Sequence, residues 1–137
     1  MYSLYFDGAS RSNPGPASYG GVIYKDNIEC YTYKKYIGVT TNNVAEYQGL
    51  LNGLLLAVEK GIVDLEVYGD SKLVIEQVKG NWRVKSANLK PFHTQIYTLL
   101  ASKPFETITF QHVYRVNNKR ADELANEALD VMLYSMV

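Results

Sequence analysis

The sequence predicts an α/β fold: a five-stranded mixed sheet, three antiparallel strands then two parallel ones, flanked by helices. Three observations carry that expectation. The chain before Val44 holds strand-like stretches and no helical period; Asp26-Asn27 is a two-residue turn between two of those stretches; and from Val44 onward helical and strand patterns alternate.

Tyr2 to Phe6 is short and aromatic, and Asp7 to Ser18, rich in Gly, Pro, Ser and Asn, reads as a loop. Tyr19 to Lys25 and Glu29 to Ile37 form the next two strands, where Tyr31, Tyr33 and their β-branched neighbours suit a pleated surface. From Val44 to Lys60, Tyr47, Leu50, Leu51, Leu54, Leu55 and Val58 fall on one helical face, and Gly61 ends the helix. Leu65 to Gly69 is a buried strand and Ser71 to Val78 a helix that Gly80 breaks. Ser86 to Ala101 is a helix with Pro91 in its first turns and Pro104 beyond its end. Glu106 to Val113 alternates as a strand, and Lys119 to Leu133 closes the chain as a helix. Each later strand is reached through a helix, which implies parallel pairing and right-handed crossovers. The apolar end (Leu129, Val131, Met132, Leu133, Tyr134, Met136 and Val137) is expected to pack back onto the sheet, with a self-association patch as the alternative.

Size and composition narrow the function classes. At 137 residues, with 47% hydrophobic and 20% charged residues, the chain suits one domain over residues 1–137 and is too apolar for disorder. Fourteen basic and fourteen acidic residues balance, which excludes binding to nucleic acid through bulk positive charge alone. A single cysteine, Cys30, excludes a disulfide framework and a cysteine zinc site. No signal-peptide pattern or membrane-length apolar run is visible, so a cytoplasmic protein without membrane contact is expected.

Four acids stand where acids seldom fall by chance. Asp7 ends the first predicted strand and Asp70 the fourth; adjacent parallel strands would bring both to one sheet edge, where ligand sites of such sheets lie. Glu46 and Asp122 lie near the starts of two helices that can face the same edge. Four converging carboxylates would repel and raise one another's pKa values, and two hard divalent cations, Mg²⁺ or Mn²⁺, would remove that repulsion. The pattern predicts a two-metal site of the phosphoryl-transfer type. Each acid also has a plain structural reading. Glu46 after Asn43 matches a capping box, Asp70-Ser71 an N-cap, Asp122 a favourable helix start and Asp7 a turn residue.

Four blocks then resemble the type 1 ribonucleases H, archaeal-type subgroup, in the family's order and spacing. They are Phe6-Asp7-Gly8-Ala9-Ser10-Arg11-Ser12-Asn13-Pro14-Gly15-Pro16-Ala17, Thr41-Asn42-Asn43-Val44-Ala45-Glu46-Tyr47, Gly69-Asp70-Ser71-Lys72-Leu73-Val74 and Asn118-Lys119-Arg120-Ala121-Asp122-Glu123-Leu124-Ala125-Asn126. The resemblance implies a ribonuclease H-like fold and cleavage of the RNA strand of RNA–DNA hybrids. It assigns Asp7, Glu46, Asp70 and Asp122 as catalytic carboxylates holding two Mg²⁺, with Mn²⁺ as substitute, and implies 5′-phosphate and 3′-hydroxyl products. Asn13, Asn42 and Asn43 match positions that contact RNA 2′-hydroxyls and base edges, Thr41 one that holds a DNA-strand phosphate, and Trp82 an aromatic residue of the DNA-strand groove. Helix capping is the competing reading for Asn42 and Asn43, an ordinary pre-helix threonine for Thr41, and packing for Trp82.

Charge distribution is compatible with a polyanion. Lys72, Lys79, Arg83, Lys85 and Lys90 face only Glu76, and Arg115, Lys119 and Arg120 form a second cluster. With the four proposed metal ligands set aside, fourteen positive charges stand against ten negative ones. Two departures from the family pattern stand out. Where many members carry a catalytic histidine, the archaeal-type subgroup has an arginine, which makes Arg115 the catalytic candidate here; it is charged but cannot shuttle protons near neutral pH. Ser12 replaces a glycine usual in its loop, which puts the placement of Asn13 in question. Gly80 to Pro91 is too short for the lysine-rich insertion some members use, which predicts salt-sensitive binding. His112 is expected at a strand end and His93 packed on a helix. A monomer is expected. The alternatives are a non-catalytic hybrid-binding module and a nuclease acting mainly on double-stranded RNA.

Overall fold

The computed structural model describes residues 1–135. Its elements are β1 (Tyr2–Ser10), β2 (Gly15–Lys25), β3 (Ile28–Thr40), α1 (Asn42–Glu59), β4 (Asp64–Gly69), α2 (Lys72–Val78), α3 (Lys90–Ala101), β5 (Thr107–His112), a 3₁₀ turn at Arg115–Asn117, and α4 (Lys119–Ser135). The strands form one sheet in the order β3-β2-β1-β4-β5. β1 pairs antiparallel with β2 and β2 with β3, whereas β4 runs parallel to both β1 and β5. This is the predicted mixed sheet. Asp26 and Asn27 both take positive φ, 52° and 68°, the left-handed pair that a two-residue hairpin turn requires.

Opposite faces of the sheet are covered by different helices. Leu50 and Leu54 of α1, Ile75 of α2 and Ile96 of α3 pack with Leu4, Phe6, Ile23 and Val67 of the strands in one core. Each such fully buried aliphatic side chain contributes about 1.5–3 kcal/mol. Strand alternation sends the next set of side chains to the other face, where α4 lies. Gly20 shows how tightly it lies: a Cβ there would sit 2.5 Å from the Ala125 backbone nitrogen. The Ser18 hydroxyl donates to the Ala125 carbonyl on the same face.

Several expected boundaries shift, for one reason. β1 runs on to Ser10 and β2 starts at Gly15, so the loop expected from Asp7 to Ser18 shrinks to Arg11–Pro14. Glycine and serine disfavour strands on propensity, but Asp7 to Ser10 pair in register with Gly20 to Ala17. Small residues are there because helices press on both faces. β3 likewise extends to Ile28 and Thr40, accommodated by a register shift opposite Ala17 and Ser18. α3 starts at Lys90, not Ser86, because Ser86 to Leu89 form a separate turn closed by Leu89 N–H on the Ser86 carbonyl.

The expectation that the apolar end packs back on the sheet holds for Leu129 and is corrected for Val131 and Tyr134. Leu129 is buried, in helical phase with Ala121, Leu124 and Ala125, but Val131 is 65% and Tyr134 86% exposed. Both lie on the helix face turned away from the sheet; Met132 and Leu133 are half-buried, and Met136 and Val137 lie outside the described residues. His93 packs edge-on against Tyr47, and His112 ends β5, as expected. No helix among the described residues is long and apolar enough to cross a membrane.

Candidate metal centre

The parallel register of β1 and β4 pairs Phe6 with Gly69, so Asp7 and Asp70 each follow at the same level of the sheet. Asp7 does not end its strand, as the sequence suggested; it sits within β1, opposite Gly20. Glu46 arrives from α1, and Gly8 lets it approach: a Cβ on Gly8 would stand 2.4 Å from the Glu46 backbone nitrogen. The Gly8 N–H donates to both Asp7 Oδ1 and Glu46 Oε1, each at 2.9 Å. One carboxylate oxygen from each of Asp7, Glu46 and Asp70 lies within 4.8 Å of the others.

This cluster is short of positive charge. Asp7 is 1% and Glu46 2% exposed. Burial first, and then the adjacent carboxylates, push Asp7 far above the usual carboxylate range. Glu46 also rises, chiefly through burial, while the Gly8 N–H and the charge of Arg115 pull the other way. Asp7 Oδ2 and Glu46 Oε2 are both buried without a hydrogen-bond partner. Orphaned, mutually repelling oxygens of this kind fit a hard divalent cation, which would satisfy them and favour their ionised forms.

Asp122 stands at the margin of the cluster. It is half-buried at the start of α4, and its carboxyl is close enough to Asp7 to raise that group's pKa. A cleft of about 360 Å³ opens beside it, lined by Gly8, Ser10, Arg11, Asn42, Arg115 and Asn126. The capping readings of the acids fall away. Ser71, not Asp70, caps α2 through its hydroxyl, and Thr41 caps α1, which places Glu46 too far into the helix for a capping box with Asn43.

One residue that the sequence reading gave no role is Asn118. It is 1% exposed, and its Nδ2 donates to the Phe6 carbonyl at 2.9 Å and to Asp70 Oδ2 at 3.3 Å, while its backbone carbonyl accepts the Asp122 N–H. It therefore touches the backbone before Asp7, the side chain of Asp70 and the first turn of α4. Its place directly before the last helix is the signal that could have found it. Asn118→Ala is expected to lower stability by about 2 kcal/mol, measured by urea unfolding.

The residues expected to contact substrate separate into groups. Asn13, exposed at the β1–β2 connection, accepts the Asn42 N–H at 3.0 Å through Oδ1. Asn42 lines the cleft and Asn43 is exposed beside it. Thr41 is engaged as the helix cap, its hydroxyl oxygen accepting the Val44 N–H at 3.3 Å. Trp82 is 44% exposed beyond α2, which removes the core-packing reading, but it is not among the residues lining the Asp122 cleft. Ser12 adopts φ 81°, the left-handed conformation a glycine would take without strain, so the loop keeps its shape at a cost. Ser12→Gly is expected to raise stability by about 0.5 kcal/mol in urea unfolding, relief of strain outweighing the added unfolded-state entropy.

Lys72, Lys79, Arg83, Lys85 and Lys90 are all exposed, and none forms an ion pair among the described residues. The second basic cluster is smaller than expected, because Arg120 is paired with Glu29 and Glu123. Arg115 and Lys119 keep exposed side chains and form no ion pair among the described residues.

Comparison with known proteins places this geometry. A family model described as "Reverse transcriptase-like" matches residues 5–128. The Ribonuclease HI of Halobacterium salinarum is 43% identical over 127 residues, covering 92% of this chain and 63% of that protein. The "Bifunctional protein Rv2228c" of Mycobacterium tuberculosis is 44% identical over 131 residues, 94% of this chain but 35% of that protein. The chain thus spans less than two thirds of either relative. The crystal structure of RNase H1 from Halobacterium salinarum superposes with a TM-score of 0.89 at 42% identity, covering 94% of this chain and 97% of that one. LC11-RNase H1, crystallised in complex with an RNA/DNA hybrid, superposes at 0.90 and 37% identity, covering 97% of this chain and 99% of that one.

Proposed function

The chain belongs to the ribonuclease H family, and from that premise we propose that it is an endoribonuclease hydrolysing the RNA strand of RNA–DNA hybrids. The products are a 5′-phosphate and a 3′-hydroxyl, and residues 1–137 form one ribonuclease H domain. The observation that carries this reading is the pair of buried, unpartnered oxygens on Asp7 and Glu46, beside Asp70 and within reach of Asp122. A surface meant only to hold a polyanion gains nothing from four negative charges there, which weighs against the non-catalytic module.

Asp7, Glu46, Asp70 and Asp122 are the residues that would hold two Mg²⁺, or Mn²⁺ as substitute. When bound, such ions polarise the scissile phosphate, activate water and stabilise the leaving 3′-oxygen. The chain's own groups prepare the site. The Gly8 N–H fixes one oxygen each of Asp7 and Glu46, which leaves the other oxygen of each free for a cation. Asn13, Asn42 and Asn43 supply amides that both donate and accept, as recognition of a 2′-hydroxyl requires. Arg115, which lines the cleft, offers a permanent cation for phosphate and no proton to exchange. The exposed lysines and arginine between Lys72 and Lys90, with Trp82 among them, suit a DNA-strand backbone.

The test is incubation with Mg²⁺ or Mn²⁺ and end-labelled RNA–DNA hybrid, double-stranded RNA or double-stranded DNA. Cutting confined to the RNA strand of the hybrid, and falling steeply as salt rises, is expected. Binding without cutting would establish the module instead, and preferential cutting of RNA duplex the third reading.

A further inference from the structure

Asp7 and Glu46 are fixed by the Gly8 N–H and Asp70 by Asn118, both buried in the body of the fold. Asp122 is held differently. Among the described residues, the side-chain donor to its carboxylate is Asn126, one turn on in α4, whose Nδ2 reaches Asp122 Oδ1 at 3.1 Å and the Asp122 carbonyl at 3.0 Å. The amide of Asn126 can present either its nitrogen or its oxygen to that carboxylate. Arg11 decides which: its Nη2 donates to Asn126 Oδ1 at 3.2 Å and to Asp130 Oδ1 at 2.7 Å. With its oxygen engaged by a guanidinium, the amide keeps its nitrogen turned to Asp122.

Arg11 also starts from the right place. It directly follows β1, the strand that carries Asp7, and its N–H donates to the Pro16 carbonyl at 2.8 Å, which anchors its backbone to β2. The chain Arg11–Asn126–Asp122 therefore ties a metal-ligand strand to the helix carrying the fourth carboxylate. Stability is not its purpose. Arg11 and Asp130 side chains are 42% and 65% exposed, and a pair so placed contributes about 0–1 kcal/mol.

We propose that Arg11 and Asn126 are positioning residues that hold the Asp122 carboxylate in its metal-binding orientation. The proposal rests on the assignment of Asp122 as a metal ligand. Arg11→Ala and Asn126→Ala are each expected to raise the Mg²⁺ concentration for half-maximal cleavage about tenfold. The same shift is expected for half-maximal thermal stabilisation of the substrate-free protein by Mg²⁺. The double variant is expected to be no worse than either single one, because both break one chain. Lys34→Ala is the control: Lys34 binds Glu127 of the same helix at 2.8 Å with similar exposure, but from β3, which carries no carboxylate ligand.

Lys34→Ala is expected to leave both Mg²⁺ midpoints unchanged. An Arg11→Ala midpoint within twofold of the unaltered protein's would overturn the proposal, as would an equal shift in Lys34→Ala, which would mean that any loosening of α4 suffices. If the unaltered protein cleaves hybrid and is stabilised by Mg²⁺, such a result removes the positioning role alone. If it does neither, the nuclease assignment fails and the positioning role with it.

Discussion

Asp7→Asn is expected to abolish hybrid cleavage while making the metal-free protein more stable. The two effects share one origin. Asp7 is buried against Glu46, and burial together with that neighbour drives its pKa far above the ordinary carboxylate range. The folded state therefore binds protons more tightly than the unfolded chain. Stability of the metal-free protein is undiminished at acidic pH and falls as pH rises above the ordinary carboxylate range toward the raised values. An asparagine removes that loss. It keeps an oxygen for the Gly8 N–H and places an amide donor where Glu46 Oε2 has no partner. A gain of about 1–2 kcal/mol at neutral pH is expected, visible as a rise of about 4 °C or more in Tm and a flatter pH–stability curve. Cleavage is expected to drop by about a thousandfold or more, the loss of several kcal/mol of transition-state stabilisation. Addition of Mg²⁺ should raise the Tm of the original protein and leave the variant nearly unmoved. An Asp7→Asn protein that cleaves at close to the original rate, or is less stable without metal, would remove Asp7 from the centre.

Gly8→Ala is expected to damage the fold and the site together. Its Cβ would meet the Glu46 nitrogen at 2.4 Å and the Ala45 carbonyl carbon at 2.5 Å, both backbone atoms of α1. Neither side can yield easily, because Gly8 is paired with Tyr19 in the sheet interior and α1 is packed on the core. We expect a loss of about 3 kcal/mol or more in urea unfolding, with α1 displaced and Mg²⁺ stabilisation weakened even under conditions where the variant is folded. A loss under about 1 kcal/mol with an unchanged Mg²⁺ response would show that α1 moves freely relative to β1.

What was legible in the sequence follows what local chemistry can encode. The helical period from Tyr47 to Val58, the left-handed turn at Asp26-Asn27 and the buried run Leu65 to Gly69 each carry their own signal, and each forms where expected. The convergence of Asp7, Glu46 and Asp70 is readable because the strands before Asp7 and Asp70 and the start of α1 are readable, and parallel pairing brings them to one region even though β1 runs on past Asp7. Asp7 to Ser18 misled because its glycines and serines answer to helices pressing from either side, a tertiary demand that composition reports as a loop. The sequence allows Thr41 a phosphate contact or an ordinary place before the helix, and its hydroxyl caps α1. The Arg11–Asn126 contact joins residues 115 positions apart, and nothing local announces it. Composition alone groups Val131 and Tyr134 with Leu129, although helical phase separates them.

The placement of α4 has a consequence for how activity is lost on denaturation. Three of the proposed ligands sit in or directly after the central strands and on α1, within hydrogen-bonded layers closed from both sides. The fourth rides on a helix held by its buried face and by exposed ion pairs to Arg11, Lys34 and Glu29. Detachment of that helix is then a cheaper excursion than opening the sheet. Amide hydrogen exchange in α4 should run faster than in β1 and β4. In mild urea, catalytic failure should come before the tyrosine-rich sheet gives up its spectroscopic signature.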